Sequence, residues 1–271
     1  MNKKHLALSV LSLSLLQACG GGGDGDSSAP ASAPASGTPT STPAQTDSGS
    51  VSAKFVRGAA PRHAQLSVGT QTFGRLTESE QASSGAMVRL NDTTLSGSAV
   101  TQDISGDADF ALGRWTAGTV TTKSGAQTLT GNRAHHYVAF NTLDALPTSG
   151  SATCDAGVFT TPTSATGAAA STAASAAAAS PATTVTFDDS GARVAGEMTV
   201  NAGGATAKVS LKATLDTPAT TAVLGQFLNA GPGAAVQIGK HGAAGYSIVV
   251  GYIAEPKSGE RYMGVALLRC K

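Results

Sequence analysis

"ARVAGEMTVNAGGATAKVSLKATL", residues 192–215, decides how the fold of this chain is read. In an extended backbone Val194, Gly196, Met198 and Val200 share one face, with Arg193, Glu197 and Thr199 on the other. After "NAGG" the alternation resumes: Ala207, Val209, Leu211 and Ala213 share a face, with Lys208 and Lys212 opposite. A period of two on both sides of an Asn/Gly-rich turn predicts an antiparallel hairpin with one buried face.

Working outward, further strand candidates are Phe110–Thr116, His135–Phe140, Ala152–Phe159, Thr184–Asp188, Ala244–Ile253 and Arg261–Leu268. With the hairpin they make about eight strands, a count that suits a small closed barrel, whose closure removes exposed edges. The expected fold is therefore all-β, with an antiparallel barrel of about eight strands over residues 106–271; a two-sheet sandwich is the competing architecture. Residues 51–105 carry short β-prone runs, "AQLSVGTQTFGRL" and "GAMVRLNDTTLSGSAVTQDI", broken by Gly and Asn-Asp. They read as a short β-rich region, either packed on the main domain or decorating it. The low-complexity stretch Ser164–Ala182 has no polar/apolar face and reads as a mobile loop between two strands.

The start of the chain has a different composition. Lys3 and Lys4 precede an apolar stretch, Leu6–Leu16, too short to span a bilayer as a helix. Residues 1–18 thus read as a secretory signal peptide. "LQAC", Leu16–Cys19, resembles the bacterial lipobox, with Gln17 a departure from the usual small residue. That resemblance implies that Cys19 takes a diacylglycerol and becomes the acylated amino terminus; the alternative is a free N-terminal cysteine after ordinary cleavage. Gly20 stands where an aspartate retains many Gram-negative lipoproteins at the inner membrane, so the expected location is the outer membrane, lipid-anchored, with surface display open to either leaflet reading. The rest of residues 19–50 is almost wholly Gly, Ser, Ala, Pro and Thr. It reads as a disordered linker that cannot bury enough apolar surface to offset its ordering entropy.

Of 18 Lys and Arg, two leave with the signal peptide, so 16 basic side chains face 17 acidic ones. That balance offers no basic field for nucleic acid and no polybasic membrane patch.

Several short stretches in chain order resemble the surface lipoproteins with a transferrin-binding-protein-B-like β-barrel, a group that includes barrels similar to that of factor H-binding protein. They are "GRWTAG" (Gly113–Gly118), "HHYVAF" (His135–Phe140), "LPTSGSAT" (Leu146–Thr153), "TVTFDDSGARVAGEMTV" (Thr184–Val200), "GQF" (Gly225–Phe227) and "GERYMGVALL" (Gly259–Leu268). The resemblance covers about the last 165 residues, and the glycines after Cys19 fit it. It implies a closed barrel at the outer membrane that binds host proteins or other ligands through variable loops, so no binding residue carries over. The chain is too short for the two-lobed transferrin receptor, so transferrin binding does not follow from it.

With Cys19 as the lipid site, Cys154 and Cys270 remain, an even pair in an exported chain. Cys154 is in phase with Ala152, Ala156 and Val158, and Cys270 with Ala266 and Leu268, so both point inward. A disulfide forms if their Cα atoms come within about 7 Å; two separate buried thiols are the alternative.

Other constellations carry less. His135 and His136 point to opposite faces of a strand and cannot grip one metal together. His63 and His241 have no ligand-like spacing, and no metal or other cofactor is expected. Asp188-Asp189 and Glu255–Glu260 fall at turn-like positions and read as solvated carboxylates. Trp115, the single tryptophan, is either a core plug or a ligand-stacking site beside Arg114. "LPTSG" sits mid-chain without the apolar tail a sortase signal needs, and no nucleophile elbow, zincin motif or phosphate loop is present. The function expected is a non-enzymatic binding module engaging a host protein or small ligand through loops, the alternative being a structural or assembly lipoprotein of the periplasmic leaflet.

Overall fold

The 192–215 stretch folds as its alternation predicts. Val194 lies opposite Ala213, Met198 opposite Val209, and Val200 opposite Ala207. The tip is Gly203-Gly204, with φ of 60° and 75°, the double positive-φ turn that matches the twist of paired strands. Val194, Met198, Val200, Val209, Leu211 and Ala213 are buried in one cluster, while Lys208 reaches Glu197 across the outer face at 2.8 Å.

The computed structural model describes residues 46–130, 132–168 and 177–271, and for 177–181 the backbone alone. The expected signal peptide, Cys19 and most of the linker lie outside the described residues. The described end of the linker is part of the fold. The Asp47 carboxylate accepts hydrogen bonds from the Thr101 N–H and the Ser84 hydroxyl, each at 2.7 Å, and residues 49–51 form a strand.

In chain order the strands are β1 (Gly49–Val51), β2 (Pro61–Ser67), β3 (Thr70–Arg75), β4 (Ser79–Gln81), β5 (Met87–Leu90), β6 (Thr93–Gly106), β7 (Phe110–Thr122), β8 (Gly125–Leu129) and β9 (His135–Asn141). Then come β10 (Gly150–Cys154), β11 (Val158–Phe159), β12 (Thr163–Ser164), β13 (Ala177–Asp188), β14 (Gly191–Ala202), β15 (Ala205–Ser210), β16 (Ala213–Leu215), β17 (Ala222–Gly225), β18 (Gly233–His241), β19 (Gly245–Lys257) and β20 (Glu260–Cys270). A 3-10 turn, Phe227–Asn229, is the one helical element among the described residues.

These strands make two curled sheets. The first runs β3-β2-β9-β7-β6-β5-β4, with β8 added to β7 and β1 parallel to β6. The second runs β15-β14-β13-β10-β20-β19-β18-β17, antiparallel throughout; β11 and β12 pair with β20, and β16 with β14. The expected strands are present, that over Ala152–Phe159 split into β10 and β11, but they do not form one set. Phe110–Thr116 and His135–Phe140 belong to β7 and β9 of the first sheet. Gly106 ends β6, which pairs with β7, so the change of sheet comes between Asn141 and Gly150 rather than at residue 106. The second sheet instead gains β17 and β18. The Ser164–Ala182 loop lies partly outside the described residues, and its last six residues are already in β13.

Each sheet wraps a core. Leu76, Met87, Leu90, Trp115, Val120 and Tyr137 fill the concave side of the first. Val185, Phe187, Met198, Ile238, Ile248, Val250 and Leu268 fill that of the second. A third cluster joins the convex sides: Ala64, Leu66, Phe110, Leu112, Val138 and Phe140 from β2, β7 and β9 pack on Ala235, Val249, Ile253, Met263, Val265 and Leu267 from β18, β19 and β20. The central strands are thus covered on both faces, and β9 is buried at every position. That is why "SIVVGYIA" and "MGVALL" read as near-continuous apolar runs rather than alternating ones.

Candidate functional site

The paired cysteines are cross-strand partners at the end of β10 and β20, joined by a disulfide with an S–S distance of 1.98 Å. Both face the second sheet's core, as their phase predicts. The strand expected over Ala152–Phe159 breaks just after Cys154. The Asp155 carboxylate takes the place of the ladder, accepting from the Arg269 N–H at 2.9 Å, the Arg269 Nε at 2.7 Å and the Gly157 N–H at 2.9 Å. The turn shifts the chain by one position, so Phe159 rather than Val158 reaches that core.

The adjacent histidines point to opposite faces, as a strand requires. His136 is fully buried on the side facing the second sheet, its Nδ1 2.8 Å from the Thr160 hydroxyl and its Nε2 2.6 Å from that of Thr163. Burial, with Arg114 and His135 close by, holds its pKa well below the ordinary 6.5. His135 faces the first sheet's concave side, stacked on Trp115 with ring centroids 6.2 Å apart, and burial lowers its pKa to about 4. Trp115 is a core residue. Its indole N–H donates to the Met87 carbonyl at 2.6 Å, and the Met87 N–H donates to the Tyr137 hydroxyl at 3.0 Å. Its neighbour Arg114 is committed to Asp103 and Gln102, each at 2.9 Å. The carboxylates at 188, 255 and 260 lie in strand ends that flank turns rather than in the turns themselves: Asp188 bonds Ser190 and Arg193, Glu255 accepts from the Gly259 N–H, and Glu260 meets Lys257.

The candidate site is the open end of the first sheet, a cleft of about 450 Å³. Its walls are Thr70 and Thr72 of β3, Thr122 of β7, the Lys123–Ser124 turn, Gly125–Gln127 of β8, Asp92 of the β5–β6 turn and Thr93 of β6. Lys123 and Asp92 form an ion pair at its rim, 3.0 Å apart. Gln65 and Ser67 of β2, with His135 of β9, lie at its inner end, in front of Trp115. Gln65 is only 6% exposed, and its amide Nε2 is a buried donor without a partner. An unpaired buried amide costs about 1–3 kcal/mol, and this one belongs to a residue that lines the cleft. Sequence reasoning missed this cleft because Gln65, Ser67, Thr70 and Thr72 alternate as any half-exposed hairpin would, and His135 and Lys123 come from distant segments.

The second sheet's concave side holds no comparable arrangement among the described residues. It is packed with the buried apolar side chains of the largest cluster. Comparison with protein-family models, with curated proteins and with solved structures finds no match to this chain.

Proposed function

We propose that this protein is a lipid-anchored, non-enzymatic binding module of the outer membrane, which takes a small polar ligand into the cleft at the open end of its first sheet. The observation that carries the reading is the buried, unpartnered Gln65 Nε2 beside a cleft of about 450 Å³, a volume suited to a small molecule. The ligand supplies an acceptor to Gln65 and lies against the His135 ring, which is neutral at pH 7 with a pKa of about 4. The Leu16–Cys19 lipobox and the Gly/Ser/Ala/Pro arm support the anchored location. The resemblance to transferrin-binding-protein-B-like lipoproteins belongs to this reading. So does a barrel for the second sheet: its path has eight strands, and β16 lies against β17 where the ends approach.

Trp115, the single tryptophan, stacks on His135 and provides the test. Titrating the full chain with a panel of sugars, nucleosides, amino acids and short carboxylates should give a saturable change in its fluorescence with one class. Gln65→Ala should weaken that binding by about tenfold. A flat response across the panel, or binding indifferent to Gln65→Ala, refutes the cleft. Protease shaving of intact cells decides the location separately. Cleavage before the outer membrane is opened supports surface display, and protection until then supports the periplasmic leaflet.

A further inference from the structure

We infer that the junction of the two sheets holds a divalent transition-metal site made by Asp107, Asp109 and His241. This goes beyond the ligand-binding reading and does not depend on it.

Asp107 and Asp109 lie in the β6–β7 turn of the first sheet, and His241 ends β18 of the second. One ligand atom from each lies within 4.8 Å of the other two. The turn holds the carboxylates in place and leaves acceptor capacity free. Asp107 Oδ1 accepts the N–H groups of Asp109 at 2.8 Å and Phe110 at 3.3 Å, so Oδ2 is the oxygen that faces His241. Asp109 Oδ2 accepts the Gly242 N–H at 2.6 Å, which binds the first sheet's turn to the β18–β19 turn of the second.

The informative atom is His241 Nδ1. It is closed off from solvent and has no hydrogen-bond partner. It lies 3.6 Å from Asp107 Oδ2, too far for the short bond an imidazolium makes to a carboxylate. Two ligands on one metal stand near that separation: at metal–ligand distances of about 2.0–2.2 Å they lie roughly 3.0–3.5 Å apart. A small contraction around an ion would therefore satisfy the orphaned nitrogen and neutralise two carboxylates at once. The pocket that His241 lines also holds Arg269, which is taken by Asp155 at 2.7 Å, and Lys271.

One imidazole with two carboxylates favours Zn²⁺, or Mn²⁺, which also accepts imidazole, over Ca²⁺, which prefers oxygen alone. Three protein ligands leave the remaining positions to water. Because two ligands come from one sheet and the third from the other, the ion would cross-link the sheets at this end, and its binding energy would add to the stability of the folded state.

The test uses the full chain without an affinity tag, stripped with chelator and dialysed against ZnCl₂, MnCl₂ or CaCl₂ separately. Elemental analysis should find about one equivalent of Zn²⁺ or Mn²⁺ and less Ca²⁺, and the melting temperature should rise by several degrees with the bound ion. His241→Gln and Asp107→Asn, which keep size and hydrogen-bonding capacity, should each weaken binding by about tenfold or more. Absence of stoichiometric metal in the folded wild type overturns the site, as does binding that both variants leave intact. Should the variants not fold, the wild type decides alone: added Zn²⁺ must shift the His241 ring resonances at one-to-one stoichiometry, and unshifted resonances overturn it. A melting temperature that does not respond to added metal also overturns the proposal.

Discussion

Asp103 on β6 accepts two hydrogen bonds from Thr161, from its N–H at 2.7 Å and its hydroxyl at 3.1 Å, and so fastens the β11–β12 connection of the second sheet onto the first. Asp103 stands in a bulge of β6, where the register with β7 shifts between Gln102 and Ser105, and its φ is 57°. The bulge turns the carboxylate toward Thr161 and Arg114 instead of leaving it in the ladder. Asp103→Ala should lower stability by about 2 kcal/mol, the scale of a hydrogen bond to a charged group, with a further penalty for alanine at positive φ. Asp103→Asn tolerates that φ and keeps an acceptor, so it should cost less. Urea denaturation of the two variants checks the order.

The Cys154–Cys270 bond closes 116 residues of chain and ties down the last strand. In the chain-entropy account a loop of that size is worth about 4–5 kcal/mol. Non-reduced protein should show neither cysteine as a free thiol. The Cys154→Ser/Cys270→Ser double variant should melt many degrees lower, and reductant should lower the wild type toward the same value. Two free thiols in protein purified without reductant would reject the bond.

Gly113 and Tyr137 are cross-strand partners on β7 and β9, and the Tyr137 ring lies over the glycine. A Cβ at 113 would fall on the phenol, whose hydroxyl accepts the Met87 N–H at 3.0 Å. Gly113→Ala should therefore cost about 1–3 kcal/mol as an overpacking change. Tyr137→Phe should cost about 1 kcal/mol by leaving the Met87 N–H unpaired. Both are read from denaturant midpoints, and a neutral Gly113→Ala would show that the ring is free to move.

Three buried histidines predict an acid-labile fold. Burial lowers the pKa of His63 and His136, and takes that of His135 to about 4, against 6.5 in the unfolded chain. Below pH about 6.5 the unfolded state therefore binds more protons than the folded one. The stability these groups allow is complete above pH 6.5 and falls as the pH drops from there toward 4. Each group contributes up to about 1.4 kcal/mol per pH unit over its window. Urea midpoints at pH 7.5, 6 and 5 should fall in that order, and His135→Gln should flatten the slope. A midpoint that stays level to pH 5 contradicts the buried, neutral assignment.

Local features were legible from the chain alone. Alternation about "NAGG" predicted the β14–β15 hairpin, and the paired register from Ala192 to Leu215 follows it. The inward phase of Cys154 and Cys270, and the opposite faces of His135 and His136, follow from the same period of two. The expected strands occur, that over Ala152–Phe159 split into β10 and β11, yet two of them belong to another sheet. "HHYVAF" looks the same whether its outer face meets solvent or Val265 and Leu267, because the pattern records what a residue is and not what covers it. The bulge at Asp103 and the meeting of Asp107, Asp109 and His241 have no local signal, since their partners lie 58 and more than 130 residues away.

By itself the sequence determined an all-β chain, its main strands and hairpin, and the inward aim of the two cysteines, because those depend on backbone period and turn chemistry. The tertiary structure alone decided how the strands divide into two sheets, which faces were buried twice, and where a polar cleft stayed open. Those outcomes depend on which distant strands pair, and the free energy that selects them arises only when the convex faces of the two sheets close on each other.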